Sequence, residues 1–220
     1  MNAASFIDLS SAAIVVGGTL LSTMLRCGFT DCGLAIAGIA RIGQTRFDAD
    51  QVRAELAVQV RGIQQDGLLR TTPRALGDRE LDEVNGTLIG TRSVAALVEV
   101  HEGYKARRQE ADSRAVRTLA QAAELAPVFG LAGTLVSLTQ LPADGIDRAA
   151  YMGAISMAVL STLYGLLLAN FILAPLSRLV ERAATKEERE RQKIVDWLAR
   201  QVAPTIRKGR PIAVPDMASA

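Results

Sequence analysis

The sequence predicts an all-α, polytopic membrane protein with three transmembrane helices and a helical cytoplasmic domain. Three uncharged runs carry that prediction: Leu9–Leu25 (17 residues), Leu125–Ala143 (19) and Ala149–Ser177 (29). Crossing about 30 Å of hydrocarbon takes roughly 20 helical residues, with about 17 as the lower limit. The second and third runs exceed that need. The first is marginal, and Phe6 and Ile7 lengthen it past Asp8. Composition agrees: hydrophobic residues make up 49% and aromatics only 4%, mean hydropathy is positive, and the charges gather in blocks between the runs.

Arginine and lysine placement near the ends of each run sets the orientation. None precedes the first run; Arg26 and Arg41 follow it. Arg107, Arg108, Arg114 and Arg117 precede the second, and Arg178, Arg182, Lys186, Arg189, Arg191 and Lys193 follow the third. Between the second and third runs stands only Arg148, offset by Asp144 and Asp147. The consistent solution places the N-terminus outside, residues 26–124 in the cytoplasm, the PADGIDR hairpin outside and the C-terminus inside.

Residues 1–25 are therefore the first membrane helix. Within the cytoplasmic domain, 26–124, Asp48 is a candidate N-cap. Phe47, Val52, Leu56, Val60 and Ile63 recur at near-helical spacing until Gly67. Leu68 to Gly77, with Pro73 inside it, reads as a loop. A second pattern resumes through Leu81, Val84, Leu88 and Leu97. From Glu110, the residues Val116, Leu119 and Ala123 continue helically into the second run, so that span projects below the bilayer. Residues 125–177 form a transmembrane hairpin. The third span continues as RLVERAATKEERERQKIVDWLARQV, a cytoplasmic helix over 178–203 whose alternating charge, including the block KEERERQK, suits a solvated face. Three prolines and small residues from Pro204 to Ala220 suggest a disordered tail.

The second run, ELAPVFGLAGTLVSLTQLP with its flanks, holds prolines, glycines and hydroxyls that weaken a helix in water. In lipid, polar side chains face protein or water, and small residues let helices approach. Ala126, Gly130 and Thr134 fall four apart on one face; Gly133 and Ser137 lie on a neighbouring one. In the third run Gly153, Ser161, Gly165 and Ala169 form a small stripe, with Thr162 and Asn170 beside it. The first run places Gly17, Gly18 and Thr19 together. Two readings stay open for each: tight packing, or a polar seam for ions through Thr134 and Thr162. No Asp, Glu, Lys, Arg or His interrupts any of the three runs. A membrane proton relay needs a titratable group at depth, so any such carboxylate must come from another subunit.

The segments APVFGLAGTLVSLTQL and GAISMAVLSTLYGLLLANFILAPLSRL resemble the last two membrane helices of the MotA/TolQ/ExbB family. These are ion-channel subunits of flagellar stators and of the Ton and Tol energisers. FIDLSSAAIVVGGTLLSTM is similar to the second MotA membrane helix. The resemblance implies an inner (cytoplasmic) membrane protein whose Pro127 and Pro175 match conformational prolines. It places Thr134 and Thr162 on the ion-pathway or partner-facing side, where Ser161 and Asn170 beside them are further candidates, while the small-residue argument makes Gly130, Gly133, Gly153 and Gly165 packing positions. It further implies a homopentamer around a single-span partner of the MotB, ExbD or TolR kind, whose membrane aspartate carries the ion. Arg74, Glu80 and Asp82 are the nearest counterparts of MotA charges that touch the rotor, against the plainer reading of a solvated loop. MotA has four spans, whereas three spans with the N-terminus outside is the TolQ and ExbB layout. Those two usually carry a glutamate near the position of Met157. A start placed one helix too late would also account for the difference.

Other chemistry finds little support. The net charge of +2 and the absence of interleaved aromatics disfavour nucleic acid. Cys27, Cys32 and the single His101 suggest neither disulfide nor metal site nor cofactor, and His101 reads as a surface helix residue. No nucleophile–base pair suggests an enzyme. Three functions follow: a stator-type channel subunit, the same engine serving outer-membrane transport or envelope integrity, or a non-conducting membrane scaffold.

Overall fold

A computed structural model describes residues 8–42, 47–66, 76–141 and 148–208, and among these every regular element is helical. Seven helices follow in order: α1 (Leu9–Cys27), α2 (Phe29–Ile42), α3 (Ala49–Asp66), α4 (Arg79–Thr91), α5 (Val94–Thr139), α6 (Arg148–Leu167) and α7 (Ala174–Lys208). A π-helical turn, Leu168–Leu173, joins α6 to α7. Three stretches are long and apolar enough to cross a membrane: Leu9–Cys27, Val94–Thr139 and Arg148–Pro204. Phe6, Ile7, Gly67, Arg74, most of the expected loop and outer hairpin, and the tail from residue 209 lie outside the described residues.

Local chemistry explains the boundaries. Asp8 caps α1 by accepting from the N–H groups of Ser10 and Ser11. Asp48 does the same for α3, through Asp50 and Gln51. Asp78 caps α4 through Glu80 and Leu81. Each carboxylate satisfies N–H groups that have no partner in the first turn. Gly28, at φ 83°, separates α1 from α2 in a conformation that side chains with a Cβ resist. Arg92 ends α4 in the left-handed region. The periodic pattern through Leu81, Val84, Leu88 and Leu97 is therefore split between two helices.

The chain divides into two compact units, Met1–Gln44 with Glu110–Ala184 and Thr45–Gln109 with Thr185–Ala220. In the second, Val52, Leu56, Val60, Ile63, Leu81, Val84, Leu88 and Leu97 share one core with Ile194, Val195, Leu198 and Val202. The spacing-based expectation for α3 and α4 is met there. Burying each such side chain is worth about 1.5–3 kcal/mol.

Three expectations need correction. Cys27 is followed within two residues by α2, a helix that the sequence reading passed over; Asp31 in its first turn and Arg41 in its last were the available signal. Pro204 sits inside α7, which runs on to Lys208, five residues beyond the tail boundary at 204. His101 is completely buried, not on the surface.

Candidate ion-pathway site

α5 and α6 meet through their smallest residues. A Cβ at Gly165 would stand 2.7 Å from the Ala126 carbonyl oxygen and 3.0 Å from Gly130 Cα. A Cβ at Gly130 would stand 3.0 Å from the Ser161 carbonyl oxygen and 3.3 Å from Thr162 Cα, and one at Gly133 would strike the Ser161 side chain at 2.7 Å. The two backbones therefore touch, which only glycine permits. Gly18 of α1 closes on the Phe129 ring of α5 in the same way. Gly153, the fourth expected packing glycine, faces open space within this chain.

The hydroxyls sit along this crossing with their hydrogens committed to their own helices. Thr134 Oγ1 donates to the Leu131 carbonyl (2.6 Å), Ser137 to Gly133 (2.8 Å), Ser161 to Ala158 (2.9 Å) and Thr162 to Ala158 (3.3 Å). A hydroxyl so engaged offers only oxygen lone pairs outward, which accept from water or hydronium or ligate a cation. Ser137 and Ser161 are fully buried and serve packing. Thr134 and Thr162 are half-buried, so their oxygens lie where a neighbouring helix or water can reach them.

The two prolines occupy different settings. Pro127 lies within α5 beside the tight crossing. Pro175 opens the first turn of α7, immediately after the π turn. Lacking an N–H, it cannot return a bond to the preceding turn. The ladder widens there, with the Ala174 N–H reaching the Ala169 carbonyl five residues back. Asn170, exposed on this turn, donates its amide to the Leu166 carbonyl at 2.9 Å, which helps satisfy backbone that lipid cannot hydrate. Such π turns recur at functional sites.

At the N-terminal end of α1, the Asp8 N–H donates to the Tyr164 hydroxyl (3.2 Å), and the Ser11 hydroxyl donates to the Asp8 carboxylate with its oxygen 3.3 Å from the Met157 carbonyl oxygen. These contacts hold the start of α1 against α6 and involve only the backbone of Met157.

The 45–109/185–220 unit holds a polar cluster that sequence reasoning missed. Glu80, only 4% exposed, accepts from His101 Nδ1 (2.8 Å), from Arg191 (3.0 Å) and from Arg108. Arg191 also reaches Asp78 (2.8 Å) and Glu187 (3.0 Å) and lies 4.3 Å from the centroid of the Phe47 ring. Arg108 reaches Glu188. His101 Nε2 faces Gln192 Oε1 at 3.2 Å, an oxygen oriented by the bond from Gln192 Nε2 to Asp196. Both ring nitrogens meet acceptors, an arrangement that favours the protonated imidazole. Burial works against that charge, but the bonds to Glu80 and Gln192 outweigh it and raise the His101 pKa. Burial likewise opposes ionisation of Glu80 and Asp78, and their bonds to His101 and the arginines lower both pKa values.

The expected rotor contacts scatter accordingly. Glu80 is the hub of this cluster and offers no surface. Asp82 is half-buried and accepts from the Leu76 N–H at 2.6 Å. In KEERERQK, Glu187, Glu188, Arg191 and Gln192 turn toward the cluster, and only the other positions present a solvated face.

Known proteins share this architecture. Residues 80–193 match the MotA/TolQ/ExbB proton channel family. Motility protein A of Cereibacter sphaeroides is 26% identical over 197 residues, which cover 89% of this chain and 78% of that one. Chemotaxis protein PomA of Vibrio alginolyticus is 25% identical over 202 residues, 87% of this chain and 76% of that one. The fold matches the structure of C. jejuni MotAB with a TM-score of 0.83 at 19% identity, over 94% of this chain and 83% of that one. It matches the flagellar MotAB stator complex of Bacillus subtilis with a TM-score of 0.76 at 14% identity, over 96% and 86%. This chain belongs to the MotA/TolQ/ExbB proton channel family.

Proposed function

We propose that this protein is a proton-channel subunit of the flagellar-stator type, converting ion-motive force into mechanical work with a single-span partner that bears a membrane aspartate. One observation carries the reading: its paired membrane helices offer half-buried hydroxyl oxygens and no Asp, Glu, Lys, Arg or His between Leu125 and Leu141 or between Ala149 and Ser177. Hydroxyls can steady a passing ion, but a proton must rest on a carboxylate, which this chain leaves to its partner. The motility-protein relatives and the MotAB assemblies support the choice of a MotB-like partner. Large exposed apolar surfaces on α5 and α6, including Leu131, Leu135, Val159 and Leu166, suit lipid and neighbouring copies, in keeping with a pentamer.

The membrane is the bacterial inner membrane. All 25 basic residues except Arg148 fall on the side holding residues 26–124 and the C-terminus, which makes that side cytoplasmic and the N-terminus periplasmic. Thr134 and Thr162 steady the ion, and the π turn with Pro175 supplies the movable segment. The test is Thr162→Val in the complex purified with its partner and reconstituted in liposomes. Removing one hydroxyl acceptor, about 1 kcal/mol, should slow proton flux roughly fivefold while assembly is unchanged. Full flux with normal assembly would remove Thr162 from the pathway. Purification of the chain with no single-span partner would sink the engine reading itself.

A further inference from the structure

We propose that the Gln192 carboxamide is a proton-operated switch: when His101 gives up its Nε2 proton, the amide turns over, unties α7 from Lys105 of α5 and releases Asp196 at the surface. Every group involved belongs to the 45–109/185–220 unit. His101 and Lys105 stand one turn apart on α5, and Gln192 and Asp196 one turn apart on α7. Gln192 joins all of them. Its Oε1 lies 3.2 Å from His101 Nε2 and accepts from Lys105 Nζ at 3.1 Å, while its Nε2 donates to Asp196 at 3.0 Å.

The two outer partners set which way the amide faces. A lysine ammonium only donates and an ionised carboxylate only accepts. Reversed, the amide would turn its N–H groups on Lys105 and its oxygen on Asp196, and both bonds would be lost. Its oxygen is thereby held toward His101, and that side of the ring favours an N–H. On the other side, Nδ1 meets Glu80 Oε1 at 2.8 Å, and Glu80 also accepts from Arg108 and from Arg191 at 3.0 Å. Two guanidinium groups keep that carboxylate ionised, so Nδ1 keeps its hydrogen. The proton free to leave is the one on Nε2.

Charge reaches the ring from three helices. α4 brings Glu80, with Asp78 behind it on Arg191; α7 brings Glu188 and Arg191; α5 itself brings Lys105 and Arg108. Burial opposes the cation, and the bonds to Glu80 and Gln192 with the charges of Glu80 and Glu188 outweigh it. Once Nε2 is bare, its lone pair faces the amide oxygen. Turning the amide replaces that repulsion with an N–H···N bond and breaks the two outer ones. Lys105 keeps Glu102, on its own helix at 3.1 Å, so what disappears is its tie to α7. Asp196, already exposed, turns to water. The tie between α5 and α7 is therefore complete in acid and lost as pH rises through the folded pKa of His101, which lies above 6.5. That this unit faces the cytoplasm rests on the reading above; there, the device reports the pH of the compartment that receives the protons.

His101 is the only histidine in the chain, so ¹⁵N-labelled histidine gives a single imidazole to watch. The full chain, carrying a histidine-free affinity tag, is reconstituted in liposomes, and both ring nitrogens are followed by solid-state NMR across pH. The wild type should hold protons on both nitrogens below the midpoint and on Nδ1 alone above it. The discriminating variant is Lys105→Met with Asp196→Ala, whose charge changes cancel and whose side chains lie outside the apolar core. Freed of both partners, the amide can offer its N–H to the ring, and the proton affinity of His101 should fall about tenfold, the size of one hydrogen bond to a charged group. Gln192→Met, which removes the amide, should lower it at least as far. An unmoved midpoint in the double variant, with Gln192→Met still lowering it, would show an amide that bonds His101 without being held, and would overturn the switch. A midpoint unmoved in both would remove Gln192 from the titration and overturn it equally. So would a wild type that keeps Nε2–H and loses the proton from Nδ1. Each of these outcomes leaves the proton-channel reading intact, because that reading is tested by flux.

Discussion

Gly165→Ala adds one methyl where α5 and α6 touch, and its cost can be worked from the geometry. The new Cβ would lie 2.7 Å from the Ala126 carbonyl oxygen and 3.0 Å from Gly130 Cα. Ordinary contact begins near 3.4 Å, so the helices must part by several tenths of an ångström. Both obstructing groups are backbone and cannot swing aside. Overpacking of this kind costs about 1–3 kcal/mol, and separation also forfeits the close contacts that replace hydrophobic drive between membrane helices. At 1.4 kcal/mol per decade, the folded-to-unfolded ratio should fall by roughly 5- to 150-fold. Gly153→Ala is the matched control: the same change on the same helix, with nothing within 4 Å of the added methyl. The assay is thermal unfolding in detergent, read by a thiol-reactive fluorophore on Cys27 and Cys32, both half-buried and unpaired to each other. A clear drop in midpoint is expected for Gly165→Ala and none for Gly153→Ala. Equal midpoints for both variants would refute the account of glycine as enforced backbone contact.

The buried charge cluster makes two further predictions. His101 has its pKa raised above the ordinary 6.5 in the folded state, so its stabilising contribution is complete below 6.5 and disappears as pH rises through the folded value. His101→Gln should therefore be most destabilising in acid and converge on the wild type in alkali, measured by thermal midpoint against pH; a constant gap would show that packing alone is lost. Glu80→Gln leaves His101 and two arginines facing a neutral amide, and removing one partner of a buried ion pair costs about 3–5 kcal/mol. Because the folded-state pKa of Glu80 is lowered, that deficit should shrink as pH falls through it; a deficit unchanged in acid would deny the carboxylate its role. Pro175→Ala restores an N–H beside the π turn, so it should favour a regular helix there. Motility or proton flux should drop while partner binding persists, and retained activity would show that the π turn is not a moving part.

Much of this protein is determined by its sequence alone because the bilayer is an unforgiving solvent. Uncharged runs of sufficient length mark the candidate spans, and the basic residues gathered between them suggest an orientation. The periodic apolar positions from Val52 to Leu97 likewise announced their core, since helical spacing is a local property. What only the tertiary structure decided are contacts between residues far apart in sequence. Glycines on one stripe look alike, but Gly165 meets Ala126 and Gly130 while Gly153 meets nothing, a distinction made by the line of the crossing. Glu80 on α4 looks like a surface residue until His101 and Arg108 of α5 and Arg191 of α7 arrive to make its burial tolerable. α2 carried a helical signal, but only the structure brings its Asp31, Gly38 and Arg41 to Arg114, Ala115 and Asp112 of α5. Local chemistry sets which segments are helical and which can enter lipid, whereas the direction of packing sets which side chain meets which.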